Sequence, residues 1–481
     1  RGSVGRLPVA LVRCYHFECN AQDAMASWRT MDVKETMKKN IAKKYRPYPA
    51  YRDSGVEWIG EIPEGWEIVR SKALFSHRNQ KATSGEEQLT ASQVYGVIPQ
   101  SLFMEKEGRR VVQVITGQDI LKHVEAGDFV ISMRSFQGGI ELSEYTGSIS
   151  SAYVVLKPSQ NVVQQYYSYL LKSTQYIQAL QSTSNLVRDG QALRFQNFSQ
   201  VDLPVVPIED QQVIASFLDY ETAKIDTLLA KYQRLLDLLE EKRSALISRA
   251  VTKGLDSNVP MKDSRVGWLG EIPEGWEITK LKYLAPLQSG YAFKSELFQN
   301  DGIPIIKMSN LKRGSLDFTE ATFIPADKCN RDFALNDGDI LLGMSGSLGE
   351  TGSVGNYAVV NRKDTPCQLN QRVGRFRLTS ALFPGFLLYF ISSDSFSKPI
   401  MLDSIGTAQF NISPEYIGTI SLGLPNQSEQ RKVVSYLNRE TAKIDALVAK
   451  VERAVELLKE YRIALISAAV TGKIDLREES A

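Results

Sequence analysis

Cysteine and histidine are scarce in this chain. Its 481 residues hold four cysteines (Cys14, Cys19, Cys329 and Cys367) and three histidines (His16, His77 and His123). Scattered thiols without a framed spacing argue against a disulfide scaffold and suit a reducing cytoplasm. So few histidines leave little room for imidazole acid–base chemistry or metal sites. Cys14, His16 and Cys19 lie close together, but no second ligand pair stands near them, so they are a weak zinc signal. No apolar run approaches the length of a membrane span, and Leu7–Val12 is shorter than a usual signal-peptide core. Nucleotide and nucleophile motifs are missing too: no G-x-x-x-x-G-K-[ST], no G-x-G-x-x-G leading from strand to helix, no Asn/Asp-Pro-Pro-aromatic string and no G-x-S-x-G turn. Gly343, Gly346, Gly349 and Gly352 recur every third residue, a pattern more common in tight loops than in phosphate cradles. No catalytic residue, cofactor site or metal site is expected in this chain.

A strongly basic domain is also lacking. Net charge is +2, and residues 47–208 and 257–424 are each slightly acidic; only residues 1–46 carry a clear positive excess. Composition therefore does not suggest a nucleic-acid binder, and any such contact would come from local patches or from a partner.

What the sequence does have is a duplication. The strings Glu221–Asp226 (ETAKID), Ala245–Ser248 (ALIS) and Ala250–Thr252 (AVT) recur as Glu440–Asp445, Ala464–Ser467 and Ala469–Thr471, each 219 residues on. That period is too long for a solenoid and implies tandem copies of a whole domain-plus-helix unit. The turn-rich string Gly60–Ile68 (GEIPEGWEI) likewise recurs unchanged as Gly270–Ile278, after 210 residues. Pro63 and Gly65 enforce its turn, and Trp66 is then free to pack under its domain. A second tryptophan precedes each copy, Trp58 and Trp268. An element identical in both copies cannot distinguish two ligands, so these tryptophans read as structural.

Between turn and helix the copies lose obvious similarity, and the second is nine residues longer. Both interiors read as mixed α/β. Short β-rich runs at Arg110–Ile115, Asp128–Met133 and Ala152–Leu156 precede a helical pattern over Val163–Leu180. Ile303–Met308, Asp339–Gly343 and Arg372–Leu378 precede a helical run at Pro384–Ile391. Pro204, Pro207 and Pro425 punctuate the approach to each helical segment.

In those segments apolar residues recur in steps of three and four. Ile225, Leu228, Tyr232, Leu235, Leu239, Leu246 and Ala250 form one seam; Ile444, Leu447, Val451, Ala454, Leu458, Tyr461 and Leu465 form the other. Leu236 and Val455 widen the stripe. About thirty residues of helix are expected in each, and each duplicate is the natural cover for the other's apolar face.

With the duplicated unit, the EIPEGWE turn, an acid-Gln pair before each helix (Asp210–Gln211 and Glu429–Gln430), the TAKID start and the ALIS…AVT end, the chain resembles the type I restriction–modification specificity subunits over residues 48–475. The resemblance implies an α+β fold: two mixed α/β target recognition domains separated by two long helical segments that pair as an antiparallel coiled coil, in a pseudo-two-fold tandem duplication. The limits expected are an N-terminal extension over 1–46, appended ahead of a natural start or disordered; a first recognition domain over 47–208; a helical spacer over 209–256; a second domain over 257–424; a second spacer over 425–475; and a tail over 476–481. The implied function is sequence specificity on double-stranded DNA, one half-site per domain with spacing set by the helices. The implied partners are two modification subunits holding S-adenosylmethionine and motor-nuclease restriction subunits holding ATP and Mg2+.

Base-edge readers are typically Arg, Lys, Asn, Gln and Ser on loops. In the first domain the candidates are Arg134, Ser135, Gln137, Ser150, Ser151 and Tyr153, with Arg188 and Arg194 for phosphate. In the second they are Lys307, Ser309, Asn310, Ser345, Ser347, Gln368, Asn370, Gln371 and Arg372. Two rival readings are a self-contained DNA-cleaving enzyme with an unrecognised site and a coiled-coil protein adaptor. Neither explains matched frames around unlike interiors.

Overall fold

The repeated EIPEGW string folds the same way twice. A computed structural model describes residues 37, 40–41, 43–108, 110, 120–183, 193–346, 355–402 and 410–478. Glu61–Pro63 pairs antiparallel with Tyr51–Asp53, and Glu271–Pro273 with Met261–Asp263, in matching register. Proline ends each strand, and the chain turns at once: the Trp66 amide donates to the Pro63 carbonyl and Trp276 to Pro273. Both indoles are then driven into the interior, each 1% exposed. Trp58 packs edge-on against Tyr176, whereas Trp268 remains 36% exposed.

Two compact units result. The first comprises Gln22–Gln233 with Glu452–Ala481, and the second is built on Arg234–Val451. The long helices, Ile208–Lys253 and Gln427–Val470, are 46 and 44 residues, well beyond the thirty expected. Each unit therefore contains the opening of one long helix and the closing turns of the other.

Within each unit the helical stretches run antiparallel. In the first, Arg462 meets Asp226 at 3.1 Å, while Gly472, just past the end of the second helix, lies against Pro63 and Trp66 beside the start of the first. In the second, Arg243 meets Asp445 at 2.6 Å, and Gly254 lies near Glu429 and Trp276. The two ion pairs are duplicates of one another under the 219-residue repeat.

Most of the expected seam is buried or half-buried: Ile225, Leu239, Ile444, Val451 and Leu465 are buried, and Tyr232, Leu235, Leu246, Leu458 and Tyr461 are partly so. Leu228 and Leu447 are not on it, at 38% and 42% exposed. The apolar line instead steps from Ile225 to Leu229 and from Ile444 to Val448. Steps of three and four both stay on one helix face, so the sequence alone does not choose between them.

The acid-Gln pair proves to be a clamp. Gln211, fully buried, accepts from the Val163 amide and donates to the carbonyls of Asn161 and Val206. Gln430 repeats this with the Phe383 amide and the carbonyls of Ala381 and Pro425. Three main-chain groups of the preceding domain are thereby satisfied by one side chain in the first turn of the long helix. A turn or more further along, the Tyr169 hydroxyl bonds Asp219 and Thr222, and Tyr389 bonds Asn438 and Thr441.

The interiors, unlike in sequence, share a sheet. In the first domain the antiparallel order is Phe75–Arg78, Val154–Pro158, Phe129–Ile131, Glu141–Leu142. In the second it is Leu287–Ser289, Val373–Phe376, Ile340–Gly343, Tyr357–Val359. The elaborations differ: the first domain adds a hairpin of Leu89–Ser92 and Gly96–Pro99, the second a further four-stranded sheet that includes a parallel pair, Ile303–Ile306 with Cys367–Leu369. The helical pattern expected over Val163–Leu180 breaks into Gln164–Leu170 and Thr174–Ser182, the second capped by Ser173; Pro384–Ile391 is helical as expected. Arg110–Ile115 lies almost wholly outside the described residues, as do Cys14, His16, Cys19, Gly349 and Gly352.

The outer limits move outward. Ile41 and Tyr45 are buried in the first unit's core, Tyr45 edge-on to Phe217, so that unit begins before residue 47. Leu476, assigned to a tail, is fully buried in the same core, and the Asp475 amide donates to the Arg46 carbonyl. Among the described residues, no helix is long and apolar enough to cross a membrane.

Candidate nucleic-acid interface

Both domains bring their candidate residues to the same end of the shared sheet. In the first, Ile131 stands opposite Val154. The loop after Ile131 carries Arg134 and Gln137, and the loop before Val154 carries Ser150, Ser151 and Tyr153. In the second, Gly343 stands opposite Val373. Ser345 follows the one, and Asn370, Gln371 and Arg372 precede the other. Lys307 joins them, because Ile306 runs parallel to Leu369 and its carbonyl accepts from the Asn370 amide. Antiparallel pairing thus converts segments far apart in sequence into neighbouring loops.

The side chains divide into exposed and committed. Arg134, Gln137, Ser150 and Ser151 are exposed, and Tyr153 is half-buried against the cluster of Leu89, Val97 and Val130. Ser135 is 1% exposed, and its hydroxyl accepts from the Ser132 amide to close the turn. In the second domain Ser309, Gln371 and Arg372 are exposed and Ser345 is half-buried. Lys307 is half-buried, bonded to the Thr322 hydroxyl at 2.7 Å and poised over the Phe298 ring. Asn310 is buried, bridging the Lys307 amide and the Asp317 carbonyl. Gln368 is buried and holds the Asn330 amide, and Asn370 is buried in the turn before Val373. A buried polar side chain already satisfied by its own fold does not reach a base edge. Arg194 is exposed at the start of the helix Phe195–Gln200, beside the edge strand, where Phe195 stacks on His77. Arg188 and Ser347 lie outside the described residues.

Several residues at these loops carried no signal in the sequence. The Gln93 amide donates to the Arg134 carbonyl, which sets the tip of the first domain's hairpin, with Val94 77% exposed, beside the Arg134 loop. In the second domain Tyr291, 44% exposed, is tied by backbone bonds to Leu369 and Gln371 and packs on Phe293 and Phe333. Asn411 joins Ser345 and Arg372. All three gain their places from long-range pairing, which no local pattern reveals.

Charge at the interface is sparse because several cations are used internally. Arg78 is paired with Asp128 and Glu125, each at 2.7 Å. Arg375, 1% exposed, is held by Asp339, Gln288 and the carbonyls of Asp332 and Ala334. Burial lowers the pKa of Lys122, whose ammonium donates to the Tyr153 carbonyl. Among the described residues no cluster of three His, Cys, Asp or Glu is arranged to hold a metal ion.

Comparison with known proteins identifies the family. The model of the type I restriction modification DNA specificity domain matches residues 63–236 and again 273–457. The MjaVIII specificity subunit of Methanocaldococcus jannaschii, a type I restriction enzyme component, is 26% identical over 422 residues, covering 86% of this chain and 94% of that one. The StySPI specificity subunit of Salmonella potsdam is 28% identical over 209 residues, 43% of this chain and 44% of its own length. A chain solved in work on complex assembly and conformational transition of the type I R-M system superposes with a TM-score of 0.60 at 16% identity, covering 85% of this chain and 98% of that one. These matches leave no support for a self-contained nuclease or a simple adaptor. With both repeats matched over most of their length, the chain belongs to the type I restriction–modification DNA specificity family and is a recognition subunit, not a catalytic one.

Proposed function

We propose that each recognition domain reads one half of a bipartite, asymmetric site on double-stranded DNA, and that the long helices set the distance between the halves. The observation that carries this reading is the pair of unlike interiors on one sheet order, each with exposed polar loops at the same strand end. Duplicated frames would present two readers equivalently, and different loops would give them different base preferences. Arg134, Gln137, Ser150, Ser151 and Tyr153 in the first domain, and Lys307, Ser309, Ser345, Gln371 and Arg372 in the second, are the exposed or half-buried groups from which base contacts would be drawn.

Two modification subunits would dock on the helical segments, with restriction subunits joining them. S-adenosylmethionine would be held by the former and ATP with Mg2+ by the latter, in the cytoplasm. Partners closing on the duplex would supply phosphate contacts, which suits a chain of net charge +2. The test is co-expression with the modification subunit and mapping of methylated bases across a genome. Two unlike half-sites at one fixed spacing are expected. Replacing residues 47–208 with those of a relative is expected to change one half-site alone; a continuous palindrome, or methylation independent of this chain, would overturn the reading.

A further inference from the structure

Two arginines three residues apart, one just before and one within the strand Val373–Phe376, meet opposite fates. Arg375 is buried, and its guanidinium is consumed by Asp339, Gln288 and two carbonyls. Arg372 is exposed at the sheet end that carries the candidate readers. Among the described residues only its Nη1 is engaged, donating to the Asn411 Oδ1 at 2.5 Å and to the Ser345 hydroxyl at 3.2 Å. The Ser345 hydroxyl in turn donates to the same Asn411 oxygen at 2.6 Å.

The arrangement is fixed by backbone. Ser345–Gly346 pairs with Phe410–Asn411, placing Ser345 directly opposite Asn411. The Met344 amide donates to the Arg372 carbonyl, and the Ile412 amide to the Met344 carbonyl, so three separate segments are locked around one guanidinium. Both acceptors are neutral. A carboxylate at either position would neutralise the arginine and compete with an outside acceptor, as Asp339 does for Arg375. Neutral acceptors fix the side chain's direction and leave its charge intact. The edge formed by Nε and Nη2 makes no hydrogen bond among the described residues, and it has the fork geometry that matches two acceptors in one plane. In the major groove that acceptor pair is O6 and N7 of guanine.

We infer that Arg372 reads one guanine of the second half-site and that Asn411 is its positioning residue. The inference rests on the proposed reading of the second domain as a DNA reader and adds to it the base, the contacting edge and the residue that orients it. Immobilising the guanidinium before DNA arrives removes rotamer freedom that binding would otherwise have to remove.

The test uses the full chain assembled with its modification subunit. Genome-wide methylation is mapped for the wild type, Arg372→Lys, Asn411→Ala and Asn411→Asp. Binding is measured on duplexes carrying guanine or 7-deazaguanine at the implicated position. Arg372→Lys keeps the charge on an exposed residue but loses the fork, and it is expected to relax a single guanine in one half-site. Asn411→Ala and Asn411→Asp are expected to relax that same base, the carboxylate more strongly, with the other half-site and the spacing unchanged. The wild type is expected to bind the 7-deazaguanine duplex about 10-fold more weakly, and the variants to be indifferent to it. Uniform loss across all positions, as a phosphate contact or a folding defect would produce, overturns the inference, as does an unchanged half-site. If the wild type itself yields no bipartite site, the proposed function fails; if it does and the variants match it, only this inference fails.

Discussion

Glu141 shows how a single residue can set the pH response of the first domain. Its carboxylate is buried, and burial raises its pKa above the ordinary 4.5, offset only in part by Lys172 at 2.7 Å. A raised value in the folded state means that folding takes up a proton. The associated stability is fully present below 4.5 and is lost as the pH rises through the higher folded-state value. Wild type is therefore expected to lose stability relative to Glu141→Gln across that interval, as urea denaturation at pH values from about 4 to 8 would record. Parallel profiles for the two proteins would show that burial of the charge is not at work. At the same scale, the sequence marked Ser135, Asn310, Gln368 and Asn370 as readers because polar loop residues look alike in a string. What separates them from Arg134 and Arg372 is burial, and for Ser135, Asn310 and Gln368 the fold's own amides and carbonyls also occupy the side-chain atoms.

The elements of the frame are held by a few side chains that do several jobs at once. Gln211→Ala is expected to leave one amide and two carbonyls without their partner, at a cost of about 2–4 kcal/mol in chemical denaturation. Gln430→Ala should behave alike in the second unit, since its contacts are duplicates. A loss under about 0.5 kcal/mol in both would mean that water replaces the amide freely. The helix ends are a second such place. Gly472 and Gly254 both have φ of +70°. At Gly472 the Lys473 amide also reaches back to the Ala468 carbonyl, closing the helix in the left-handed manner. A Cβ on Gly472 would stand 2.6 Å from Pro63, whereas on Gly254 the nearest atom, on the Trp276 ring, is 3.3 Å away. Gly472→Ala should therefore lower thermal stability more than Gly254→Ala, which carries chiefly the backbone cost of about 1–2 kcal/mol. The motif's spacing was legible in the sequence. The reason for it, a tryptophan turn seated against a helix end, was not.

For the whole molecule, the decisive feature is that each unit borrows helix from the other repeat. If the helices set half-site spacing as proposed, inserting one helical turn of four residues within 235–241 should lengthen the spacing methylated and leave both half-site sequences intact. Methylation mapping of the variant checks this; altered half-sites would refute a spacer role. The two domains also suit independent exchange, because the same sheet order is re-created from interiors with no evident sequence similarity.

By itself the sequence determined the duplication, the identity of the repeated frame and the long helices. These rest on local or periodic signals: unchanged strings and steps of three and four. The common sheet, the true seam through Leu229 and Val448, the burial of Ser135, Asn310, Gln368 and Asn370, and the Arg372–Ser345–Asn411 cluster came only with the tertiary structure. Each depends on which distant strand or helix lies opposite. That is fixed by long-range pairing and burial, and a string of residues does not carry it.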